Sequence, residues 1–142
     1  MKARISVLTL CVDNLERALR FYRDGLGLAT PGIIGQEFEH GAVAFFDLQP
    51  GLKLALWPRD SLAHDSGIAR GSGSASPDFT IGHNLRSEAE VQATMAQAEA
   101  AGATIVKPAQ KTFWGGFAGY FQDLDGHLWE LAYMDMSAFP QP

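Results

Sequence analysis

The chain has 142 residues, a formal net charge of −5 and 46% hydrophobic residues, which suits one compact domain with a substantial core. The mild acidity, with no basic cluster to neutralise phosphates, excludes nucleic acid as an expected partner. No apolar run is long enough to span a bilayer, no signal-peptide pattern opens the chain, and the lone Cys11 has no disulfide partner, so a reducing cytoplasm is the expected location.

Ile5 to Val12 alternates as a strand, with Leu8, Leu10 and Val12 on an apolar face and Val7, Thr9 and Cys11 on the other. Asp13 and Glu16 fit a capping box that starts a helix. Leu15, Ala18, Leu19, Tyr22 and Leu26 then recur at helical spacing, and Gly25 and Gly27 are suitable stops. Three strand-like runs follow at roughly 29–38, 42–48 and 52–57, the last two joined by a turn at Pro50-Gly51. Residues 58–77 lose this pattern and read as a flexible linker or a covering loop.

The order then begins again. Residues 79–85 alternate like a strand, and Ser87 with Glu90 is a second capping box. Val91, Met95 and Ala98 lie on one face of the helix that follows, and Gly102 stops it. Strands are expected at about 104–107, 117–123 and 128–134, with a tight turn at Asp125-Gly126. Asp13 matches Ser87, Glu16 matches Glu90, and Pro50-Gly51 matches Asp125-Gly126, at an offset of about 75 residues. The predicted fold class is α+β: two tandem βαβββ modules, at about 1–58 and 78–136, joined by the loop at 59–77.

Two stretches carry a family resemblance. Residues 8–28, with Asp13, Phe21-Tyr22 and Gly25-Leu26-Gly27, and the closing hairpin Asp123-Leu124-Asp125-Gly126 followed by Glu130, resemble the vicinal oxygen chelate superfamily. That group includes glyoxalase I, extradiol dioxygenases and bleomycin-resistance proteins. In the hairpin Leu124 stands where the family pattern has proline. The resemblance implies a cupped mixed sheet around a central cavity, and a divalent cation held there by four ligands from the first and last strands of each module. Carried over position by position, those ligand sites fall on Val7, Ala55, Thr80 and Glu130. Valine and alanine cannot coordinate and threonine is a poor donor, so no metal or other cofactor is expected; a divalent metal is the alternative. Aligning the second module through its helix instead puts His83 at the ligand position, whereas strand parity puts His83 on the helix side with Phe79, Ile81 and Leu85.

Glu130 has two readings. Burial could raise its pKa and make it a general acid or base, or it could be hydrogen-bonded to backbone or to a neighbouring Thr or Tyr. His83 reads as a base or ligand, or as a core histidine; His127 reads as a solvent-facing residue after the turn. His40 and His64 lie in turn and loop segments with no partner spacing, and Cys11 reads as a small buried residue without an adjacent base. The aromatic residues, with Gly115-Gly116 beside Trp114, suggest an apolar pocket. Trp57, Trp114, Tyr120, Thr9, Thr80 and Asn84 are the candidate ligand contacts.

The expected function is metal-independent binding of a small hydrophobic or aromatic molecule between the modules, as the resemblance to bleomycin-resistance proteins implies. The alternative is a divergent lyase, isomerase or dioxygenase that uses Glu130, with or without a metal. A homodimer is expected in either case, since sheet edges of such modules pair readily.

Overall fold

In the computed structural model, which describes residues 1–70 and 78–134, the two halves of the chain form separate units, Met1–Gly73 and Ser74–Pro142. Each repeats the order strand, helix, three strands, and each carries one four-stranded mixed sheet. No helix among the described residues is long and apolar enough to cross a membrane.

In the first unit, strands β1 (Val7–Val12), β2 (Ile33–Ile34), β3 (Val43–Asp47) and β4 (Lys53–Pro58) lie in the order β1-β4-β3-β2. β1 runs parallel to β4, and the other neighbours are antiparallel. Alternation along each strand splits the sheet into two faces. Leu10, Val12, Ala44, Phe46, Leu54 and Leu56 are buried on the helix side, under Ala18 and Leu19 of α1 (Leu15–Arg20). Tyr22 packs on Phe46 with ring centroids 6.1 Å apart. Val7, Thr9, Val43, Phe45, Ala55 and Trp57 occupy the other face, as the pairs Val7–Lys53, Thr9–Ala55 and Phe45–Ala55 require.

Three local expectations are corrected here. The cap of α1 is Asn14, whose side chain accepts from the Arg17 amide at 3.0 Å; Asp13 instead receives Arg59 at 2.9 Å and Arg70 at 3.0 Å. The run at 29–38 forms a strand over Ile33–Ile34 alone, because β2 sits at the sheet edge with one neighbour to pair with. The stretch read as a linker contains the helix α2 (Arg59–Ser66), closed by Gly67 in the left-handed conformation. Its sequence has no apolar stripe, and the ion pairs of Arg59 and Arg70 with Asp13 and of Arg70 with Asp60 tie it down instead. Residues 71–77 of that stretch lie outside the described residues.

In the second unit, β5 (Ile81–Asn84), β6 (Thr104–Lys111), β7 (Phe117–Gln122) and β8 (Leu128–Tyr133) take the order β5-β8-β7-β6. α3 (Glu88–Ala100) starts at Ser87, whose hydroxyl accepts from the Glu90 amide at 3.0 Å. The Glu90 carboxylate reaches back to the Arg86 amide at 2.8 Å. Val91, Met95 and Ala98 are buried, as are Phe117, Phe121 and Leu131 of the sheet. β6 runs four residues beyond its expected end, to Lys111, with register shifts either side of Lys107. It is an edge strand, which is where a proline (Pro108) is tolerated.

The two closing hairpins superimpose in their bonding. Leu48 donates to the Leu52 carbonyl, and Asp123 donates to the His127 carbonyl, both at 3.0 Å. Gly51 and Gly126 have φ of 84° and 88°, a conformation that favours glycine.

Candidate ligand-binding site

The polar-capable face of the first sheet holds a groove of about 310 Å³ lined by Val7, Thr9, His40, Gly41, Val43, Phe45, Ala55 and Trp57. Three strands and the loop before β3 contribute to it. The two first-module positions that the family pattern assigns to a metal, Val7 and Ala55, are here hydrocarbon wall. Trp57 is half-buried, and its indole nitrogen donates to the His40 carbonyl at 3.1 Å. Of the expected contacts, Trp57 and Thr9 therefore share one groove.

In the second unit Glu130 pairs across the sheet with Tyr120 on one side and Gly82 on the other. The Tyr120 hydroxyl donates to the Glu130 carboxylate at 2.6 Å, a short charge-assisted hydrogen bond. That bond holds the Tyr120 pKa above its ordinary value of 10.0, with loss of hydration and the carboxylate's charge acting in the same direction. A raised pKa for an acid means that the folded state favours the neutral phenol. Its stabilising contribution is therefore complete below the unfolded tyrosine value and is lost as pH rises through the folded one. Tyr120→Phe is expected to show a shallower loss of melting temperature than the wild type above pH 10, measured by thermal unfolding across pH 8 to 12.

The remaining candidates scatter. Thr80, exposed, donates to the Leu128 carbonyl at 3.2 Å. Asn84 is exposed opposite Ala132. Trp114 lies in the loop between β6 and β7, its ring folded over Gly116 so closely that any Cβ there would collide with it. His83 pairs with Leu131 on the α3 side of β5. It is not the core histidine expected from its apolar neighbours: β5 is an edge strand and the residue stays exposed. Crowding around the ring still lowers its pKa through lost hydration, opposed by the charge of Glu90.

His127 is also not solvent-facing. Its Nδ1 lies 2.7 Å from Asp123 Oδ2, and its side chain is 16% exposed. Cys11 lines a separate pocket of about 200 Å³ with Arg59, Leu62 and Ala63. Burial pushes its thiol pKa up, against a partial lowering by Arg59, which disfavours the thiolate that a nucleophile needs.

The structure adds one cluster that the sequence did not signal. His40 and His64 stack with centroids 4.3 Å apart at 21°, and His40 Nδ1 is 3.4 Å from the Ser61 hydroxyl. His40 comes from the loop before β3, and no spacing links it to Ser61 and His64, which lie one turn apart on α2.

The sequence model of the Glyoxalase/Bleomycin resistance protein/Dioxygenase superfamily matches residues 4–131. The chain belongs to this superfamily. Among solved structures of the superfamily, a glyoxalase-related enzyme from Fulvimarina pelagi is 33% identical, with a TM-score of 0.80 over 94% of this chain and 89% of that one. A glyoxalase/bleomycin resistance protein/dioxygenase from Nocardioides is 23% identical, with a TM-score of 0.73 over 100% of this chain and 90% of that one. A lactoylglutathione lyase from Agrobacterium tumefaciens is 21% identical, with a TM-score of 0.66 over 97% and 98%. No curated protein matches the sequence.

Members of the superfamily with a metal need oxygen or nitrogen donors at the strand positions considered above. Val7 and Ala55 have none, the Thr80 hydroxyl is engaged with backbone, and one Glu130 oxygen is taken by Tyr120. Taken unit by unit, the first pair offers a divalent cation no donor and the second one free carboxylate oxygen beside an engaged hydroxyl, which is fewer donors than such an ion takes.

Proposed function

We propose that this superfamily member binds a small hydrophobic or aromatic molecule in the groove of its first unit, and that it does so without a metal. The observation that carries the reading is the groove itself: hydrocarbon occupies the metal positions, and Trp57 and Phe45 provide aromatic surface beside them. Concave, largely apolar sites with few polar groups are the usual form of small-molecule pockets. The test is calorimetric titration of chelator-treated protein with 2-naphthamide, a flat, uncharged aromatic. Saturable one-site binding, unchanged by added zinc or manganese, is expected. Absence of binding, or binding that appears only after metal is restored, would refute the proposal.

The Tyr120–Glu130 bond favours a second reading, in which the chain is an enzyme and this pair transfers a proton. Glu130→Gln separates the two. Under the binding reading it leaves the affinity for 2-naphthamide unchanged, whereas under the enzyme reading it removes turnover of whichever substrate the protein converts.

A further inference from the structure

Resting on the binding function just proposed, we infer that the ligand of the first-unit groove is an aromatic carboxylate whose acid group is held by the imidazole of His40. His40 has φ of 56°, the one non-glycine residue with positive φ among the described residues. A side chain kept at such a position costs free energy, and its surroundings must hold it there. Here they do so from three directions. Trp57 binds the His40 carbonyl through its indole N–H at 3.1 Å. Ser61, 3% exposed, meets Nδ1 at 3.4 Å. His64 stacks against the ring at 4.3 Å.

The consequence is a fixed imidazole at the edge of an apolar groove. Ser61 engages Nδ1 whichever of the two atoms donates, and in the tautomer that carries its proton on Nε2 that nitrogen is a hydrogen-bond donor. Nε2 has no hydrogen-bond partner among the described residues. The nearest carboxylate, Glu39, lies 4.0 Å away, with its side chain 90% exposed.

The lining of the groove selects among ligand chemistries. It contains no carboxylate and no amide side chain, and its side-chain polar groups are the Thr9 hydroxyl, the His40 ring and the Trp57 indole N–H, the last already donating to the His40 carbonyl. An ammonium ligand finds no anion in that lining, the Glu39 carboxylate near Nε2 being 90% exposed and no part of it. A carboxylate finds a positioned donor, and charge-assisted hydrogen bonds are about twice as strong as neutral ones. Trp57, Phe45 and Val43 supply flat and apolar surface for the rest of the molecule.

The test compares 2-naphthoate with its uncharged isostere 2-naphthamide by calorimetry on the full chain. Wild-type protein is expected to bind the acid about tenfold more tightly than the amide. His40→Gly removes the ring and suits the left-handed backbone, so the loop keeps its path; whatever it does to the affinity of either probe, it should abolish the preference, bringing the ratio of acid to amide affinity to about one. Ser61→Ala should reduce the preference without abolishing it, because the ring loses its orienting partner. Equal affinity of the two probes in the wild type, or an intact preference in His40→Gly, would overturn the carboxylate assignment and leave the binding function standing. Failure of both probes to bind would overturn both.

Discussion

Asp123→Ala is expected to lower the stability of the protein by about 3 kcal/mol, because it strips a buried acceptor from three donors at once. Asp123 is 5% exposed. Its Oδ1 accepts from the Asp125 amide at 2.9 Å and from the His127 amide at 2.8 Å, and its Oδ2 meets His127 Nδ1 at 2.7 Å. Alanine leaves two backbone N–H groups in the turn without that acceptor, where water reaches poorly. For a chain of this size the loss corresponds to a fall in melting temperature of roughly 10 °C. Asp123→Asn keeps one oxygen for the amides and should cost less than half as much. Thermal unfolding of both variants checks this, and an alanine variant within 1 °C of wild type would contradict the role assigned to the carboxylate. The consequence reaches Glu130, because this turn sets the register in which β8 places Glu130 opposite Tyr120.

Trp57→Ala carries the largest expected effect on binding. The indole is a wall of the groove, and it also anchors the loop that bears His40. Truncation removes aromatic surface and frees the loop, so affinity for 2-naphthamide should fall about a hundredfold by calorimetry. Trp57→Phe keeps a ring and loses the N–H, and its affinity should lie between the two. If Trp57→Ala bound the amide as tightly as wild type, the groove would not be the binding site.

Elements with a local cap and a few apolar residues at regular spacing were legible in the sequence. α3 keeps its buried face of Val91, Met95 and Ala98 and its Ser87 cap. Elements at a sheet edge or held by charges were not. β2 is two residues long and β6 runs on past Pro108, because an edge strand ends where pairing with its single neighbour ends. α2 escaped notice because its eight residues bury Ser61 and expose Leu62, the reverse of an amphipathic pattern. The cap of α1 moved from Asp13 to Asn14 because Arg59 and Arg70, far along the chain, take the Asp13 carboxylate.

The final hairpin marks the same division. The tandem repeat, the two faces of each sheet and the hydrocarbon at Val7 and Ala55 follow from the sequence by itself, since strand parity and turn chemistry are local. The partner of Glu130, the pairing of His127 with Asp123, and the gathering of His40, Ser61 and His64 beside Trp57 were decided by the tertiary structure. The first two are short-range, across one hairpin and within one turn, yet each rests on a single side-chain orientation; His40 meets Ser61 from 21 residues away. The His40 cluster depends on the path of a loop whose composition repeats at no period, so no spacing in the chain records it.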